Sequence, residues 1–109
     1  MKKVFIVLAL GAAVFLATAS SPGMAADPAQ TGESMFKQHC AVCHPDGGNI
    51  VNPKKTLHKT DREANNVKTE ADIVKIMRNP GPGMIKFDEK TIPDKQAKEI
   101  AGYILKSLQ

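Results

Sequence analysis

The chain has 109 residues, two cysteines and no tryptophan, which leaves room for one small domain and excludes two. Its 15 Lys and Arg against 11 Asp and Glu give a formal charge of +4, yet no run of five or six like charges occurs, so the basic balance does not point to nucleic acid. A domain this small often completes its core with a disulfide, a metal or a cofactor.

Met1, Lys2 and Lys3 give a positive start, and Val4 to Ala17 follow as an apolar run without a charge. That run is shorter than the roughly 20 residues a helix needs to cross a bilayer. It reads as the core of an export leader, not as a membrane anchor. Small residues stand one and three positions before a cut at Ala17-Thr18-Ala19 and at Gly23-Met24-Ala25. The polar approach Ser20 to Gly23 favours cleavage after Ala25, which makes residues 1–25 the leader and 26–109 the mature domain. Loss of Lys2 and Lys3 moves the charge toward neutrality. Both cysteines lie far downstream, so none near the leader can carry a lipid anchor.

Asp27-Pro28 offers a cap and a proline at the first helical position, and Gly32, Phe36, Cys40 and Cys43 recur on one face, predicting a helix from about Pro28 into the cysteine motif. Asp46-Gly47-Gly48-Asn49 is turn chemistry, and a short helix is expected over Pro53 to Arg62, with Asn65-Asn66 as loop. Thr69 and Asp72 match a capping box; Ile73, Ile76 and Met77 follow at helical spacing until Asn79-Pro80. Pro80-Gly81-Pro82-Gly83 forbids regular structure and presents Met84 on a stiffened loop. From Pro93 a last helix carries Ala97, Ile100, Ala101, Ile104 and Leu108 on one stripe. No strand pattern or repeat is present, so the fold class is all-α, with about four helices and long loops.

Cys40-Ala41-Val42-Cys43-His44 is a C-x-x-C-H sequence, the pattern of c-type haem attachment. Its two thiols suit thioether bonds to one haem, and the adjacent imidazole suits one axial position on the iron. A redox-active dithiol is the alternative reading, but the βαβ context of such proteins is absent. A zinc site would need a further ligand from His39 or His58 without the usual paired spacing. For the other axial position the candidates are Met84, Met77, Met35, His58 and His39. Met35 and His39 lie beside the attachment helix, and Met77 falls on an apolar stripe where methionine is usually core filling. Met84, on an irregular loop well after His44, is the favoured ligand, with His58 its main competitor.

These residues resemble a class I cytochrome c, and in particular the cytochrome c6 family. Gly32-x-x-x-Phe36-x-x-x-Cys40 is similar to the family's first helix, whose glycine and aromatic pack against the last helix; Tyr103 is the matching aromatic there. The stretch from Cys40 through Gly47-Gly48-Asn49, Val51, Pro53 and Lys55-Thr56-Leu57 resembles the family's haem-side loop. The resemblance extends from about Pro28 to Leu108 and includes c6-like monohaem cytochromes of non-photosynthetic, metal-respiring bacteria. It implies a small class I cytochrome c fold around one haem c, with Asn49 and Lys55 near the propionates and Met84 as distal ligand. One departure is Ile85, where the family usually carries proline, so that Met84 is held from its upstream side by Pro82 alone.

The expected protein is a monomeric electron carrier of the periplasm, not an enzyme, without stable membrane insertion. It would exchange electrons with redox partner proteins, donor and acceptor, whose identity the sequence does not give. A rival within haem proteins has a labile distal site and ligand-sensing or peroxidase-like behaviour. Lys54, Lys55, Lys59 and Arg62 are expected on a solvated face, His58 on an exposed loop, and Tyr103 in packing.

Overall fold

A computed structural model describes residues 31–109; the leader, its cleavage after Ala25 and the Asp27-Pro28 cap lie outside the described residues. Helix α1 spans Gly32–His39. Thr31 stays extended at φ −71° and ψ 155°, and its hydroxyl accepts the Ser34 N–H at 3.2 Å. An N-cap hydroxyl that takes an otherwise unpartnered N–H starts a helix at the next residue. This helix therefore begins at Gly32, not near Pro28, and it ends at His39, with Cys40 as its C-cap.

The second helix also starts later than expected. Lys55 N–H donates to the Asn52 carbonyl and Lys54 N–H to Asn52 Oδ1, so Asn52 to Lys55 form a turn. An asparagine side chain that takes nearby backbone N–H groups competes with helix. Helix α2 is Lys59–Ala64, and Asn66 beyond it adopts φ 61°. Helix α3 spans Glu70–Arg78 and opens on the complete capping box: Thr69 accepts the Asp72 N–H while the Asp72 carboxylate accepts the Thr69 N–H. Pro80 follows its end, and helix α4, Asp94–Ser107, follows Pro93. Among the described residues there is no strand, so the fold is a small all-α arrangement of four helices joined by long loops.

Helices α1 and α3 both pack on α4, whose Ala97, Ile100, Ala101 and Ile104 are buried. Met35 and Phe36 come from α1, Ile73 and Met77 from α3, and Phe87 and Ile92 from the segment between α3 and α4. Ile76 does not join them. It is 36% exposed, because Ile73 and Met77, four apart, take the inward line of α3. Phe87 is tied to the end of α3 by its N–H, which donates to the Met77 carbonyl at 2.9 Å.

The crossing of α1 and α4 depends on Gly32. A Cβ there would stand 2.2 Å from the Glu99 carbonyl oxygen, so the two backbones meet with nothing between them. One turn on, the Phe36 and Tyr103 rings pack at 5.3 Å and 51°, a favourable tilted pairing. Replacing Gly32 by alanine should separate the helices and cost roughly 1–3 kcal/mol, the range for overpacking a tight contact. The denaturant midpoint measures this; an unchanged midpoint would show that the crossing tolerates a side chain.

Candidate functional site

Where α1 ends, the Phe36 carbonyl accepts the N–H groups of Cys40 and Ala41, and the Cys40 carbonyl accepts those of Cys43 at 3.1 Å and His44 at 2.9 Å. The motif is thus one further helical turn, in which residues three and four apart are neighbours. Both thiols and the imidazole are delivered from one small piece of backbone. Neither sulfur is in a disulfide, and both cysteines are half-buried. Burial, helped by the neighbouring Cys43, pushes the Cys40 thiol up to about 11. A dithiol oxidoreductase needs a depressed thiol pKa for attack, so this turn is poorly built for thiol exchange.

His44 Nδ1 lies 2.7 Å from the Gly48 carbonyl oxygen. A carbonyl can only accept, so Nδ1 carries the proton and Nε2 is left with its lone pair for a metal, an orientation typical of ligand histidines. The loop that supplies this carbonyl is itself held. Ile50 N–H donates to the Cys43 carbonyl at 3.0 Å, and Leu57 N–H to the Gly47 carbonyl at 2.7 Å. Asn49 Oδ1 accepts from Val51 at 3.0 Å and Asn52 at 2.8 Å, while its Nδ2 donates to the Lys55 carbonyl at 2.9 Å. Asn49 is therefore the staple of the 49–55 loop, and the Lys55 side chain is exposed at its edge.

The same loop reaches the Met84 segment. Gly83 adopts φ 92°, and a Cβ on it would lie 2.7 Å from Val51 Cγ1. The left-handed backbone and the close approach both call for glycine. Met84 is half-buried against the core, and it is not held by Pro82 alone, since Gly83 rests on Val51. The strip Ile50-Val51 thus connects the cysteine turn on one side with the Met84 loop on the other.

Of the other ligand candidates, Met35 and Met77 are buried in the core. His39 packs edge-on to Phe87 at 6.1 Å. His58 is half-buried rather than exposed, with its Cε1 beside Gly47. Tyr103 packs on Phe36. Arg62 departs from the expected solvated face: it is 4% exposed, donating from Nε to the Leu57 carbonyl at 2.7 Å and from Nη2 to the Leu108 carbonyl at 3.2 Å. Lys54, Lys55 and Lys59 remain exposed. The Gly48 carbonyl has no sequence signal, because a backbone acceptor is available at every residue. No three His, Cys, Asp or Glu side chains among the described residues converge to hold a metal by themselves.

Two unpaired sulfurs and an imidazole on one turn, with the exposed apolar side chains of Val42, Ile50 and Val51, fit a large flat apolar group with a metal at its centre. Cys40, Cys43 and His44 are a haem c attachment site for one haem and its iron, with His44 as axial ligand. A four-helix domain with one such site is a c-type cytochrome.

A family model described as cytochrome c oxidase, cbb3-type, subunit III matches residues 27–104, a stretch that contains the attachment turn and the Met84 loop. Cytochrome c6 of a Nostoc species is 36% identical over 96% of this chain and 93% of that protein. Cytochrome c6 of a Synechocystis species is 37% identical over 94% of this chain and 87% of that protein. Outer membrane cytochrome F (OmcF) of Geobacter sulfurreducens superposes with a TM-score of 0.70 and 47% identity, covering 72% of this chain and 99% of that one. The chain belongs to the c6-like monohaem family of class I c-type cytochromes. It is an electron carrier, not an enzyme. No helix among the described residues is long and apolar enough to cross a membrane.

The attachment turn makes a direct prediction. Protein produced with haem-attachment machinery should keep its haem through denaturation, and neither cysteine should take up an alkylating reagent without prior cleavage of the thioethers. Mass measurement checks both; an alkylated Cys40 or Cys43 would contradict the assignment.

Proposed function

We propose that the protein shuttles single electrons in the periplasm as a soluble monomer, with His44 and Met84 as the two axial ligands of its haem. The observation that carries this reading is the contact of Val51 with Gly83, which brings the Met84 loop against the loop that leaves the attachment turn. When bound, the haem supplies a one-electron iron couple. The chain's residues do the rest. The Gly48 carbonyl fixes the His44 ring and its tautomer. The soft thioether of Met84 favours ferrous over ferric iron relative to a second imidazole, which raises the potential. With both axial positions filled by side chains, no place remains for a substrate, which favours carriage over a labile, ligand-sensing site.

Lys55 is assigned to the propionate side, where its ammonium would balance negative charge. Asn49 is assigned there through the backbone it gathers, since its amide is already bonded to that backbone. The leader of residues 1–25 accounts for export, and the electron donor and acceptor are redox proteins rather than nucleic acid or a membrane.

Met84→His tests the distal ligand. Covalent haem should be retained, the weak far-red band of methionine-ligated ferric haem should vanish, and the potential should fall. Optical spectra with potentiometry read all three; an unchanged band and potential would place the ligand elsewhere.

A further inference from the structure

The loop that bears Met84 is stiff before the methionine and open after it. Pro80 and Pro82 fix two backbone torsions, and Gly83 is wedged on Val51. Beyond Met84, Ile85 is 70% exposed and Lys86 is also exposed. The next anchored residue is Phe87, whose ring is buried and whose N–H is held by the Met77 carbonyl. Its carbonyl is held as well: Arg78 Nη1 donates to it at 3.0 Å. Arg78 Nη2 donates to Asp94 Oδ1 at 2.7 Å.

One guanidinium thus joins three things: the end of α3 that it belongs to, the end of the ligand loop, and the first residue of α4. Only a planar fork can hold two acceptors in fixed directions, which a lysine ammonium does not do. Asp94 is 62% exposed, so as an ion pair this contact contributes little to stability. What it changes is geometry. With the buried ring and the Met77 bond alone, the carbonyl side of Phe87 is untied and that peptide can swing; with Arg78 on its carbonyl, both sides of the residue are fixed. Ile85, with free backbone torsions, supplies no local substitute.

We infer that Arg78 is the positioning residue for the distal ligand: its fork on Phe87 and Asp94 closes the downstream side of the loop and holds the Met84 thioether in place. This rests on Met84 being that ligand. Loss of the fork should raise the frequency of local opening of this loop more than that of the whole fold.

Carbon monoxide can bind reduced haem only after the distal ligand has left, so its binding rate to the reduced holoprotein counts loop openings. Arg78→Gln should raise that rate by about tenfold, the factor that corresponds to one lost charge-assisted hydrogen bond. Arg78→Lys should not restore the parent rate. Asp94→Asn, a near-isosteric change at an exposed site, should raise it by a smaller factor because only one arm of the fork is weakened. In denaturant, the far-red methionine band of oxidised Arg78→Gln should disappear before the helical signal falls.

An unchanged carbon monoxide rate in Arg78→Gln and Asp94→Asn would overturn the inference, as would band and helix signals lost together. Should Arg78→Gln fail to fold, the Asp94→Asn rate decides alone. Met84→Ala separates the two levels. If it binds carbon monoxide fast while the Arg78 and Asp94 variants match the parent, the ligand reading stands and the Arg78 role falls. If Met84→Ala itself matches the parent, both fall.

Discussion

With no side chain on Gly32, α1 lies against α4 so closely that a methyl group would meet the Glu99 carbonyl at 2.2 Å. Backbone against backbone is the least adjustable of packing contacts, and much of the site is set from it. The crossing orients α1, α1 presents the Phe36 carbonyl, and that carbonyl receives Cys40 and Ala41. The cysteine turn therefore inherits its direction from α4 through a short chain of hydrogen bonds. Helix α3, packed on the same α4, presents the Met77 carbonyl to Phe87. The attachment turn and the Met84 loop are both referenced to one helix, so their mutual placement does not rely on the loops alone.

The site is a division of labour between backbone and side chains. The three groups that would hold the haem are side chains of one turn, whereas the group that orients His44 is a carbonyl. A neutral acceptor of this kind fixes the ring without placing a full negative charge behind it, unlike the carboxylate partner found in many metal sites. Asn49 works in the same manner, ordering the backbone from Val51 to Lys55 with one amide. The half-buried placement of Met84 and its glycine neighbour on Val51 extends that ordered region to the Met84 loop.

How much of this was legible follows from the range over which each signal acts. The C-x-x-C-H turn, the Thr69 and Asp72 box and the apolar stripe of α4 are local patterns, and each is where the sequence puts it, except that α4 ends at Ser107 and Leu108 is its half-buried C-cap. The start of α2 was misread because Asn52 turns its side chain onto the backbone, a competition that composition does not reveal. Ile76 has the right spacing for a core position, yet a line of Ile73 and Met77 already fills that face. Arg62 and Arg78 were least legible of all. An arginine in a helix normally predicts a wet face, and only the fold reveals that carbonyls from Leu57, Leu108 and Phe87 converge on these two. Their partners lie five, 46 and nine residues away in the chain, beyond what a periodic pattern can report.

The pairing of α1 with α4 also orders events in time. Helices α1 and α4 lie far apart in the chain, and α4 is the helix on which α1 packs. Non-local contacts of this kind form late, after the intervening chain exists. Until α4 has docked, α1 lacks the helix it packs on, and the turn that follows it is unprotected. In the exported chain the two sulfurs thus stay open to attachment until these two helices meet.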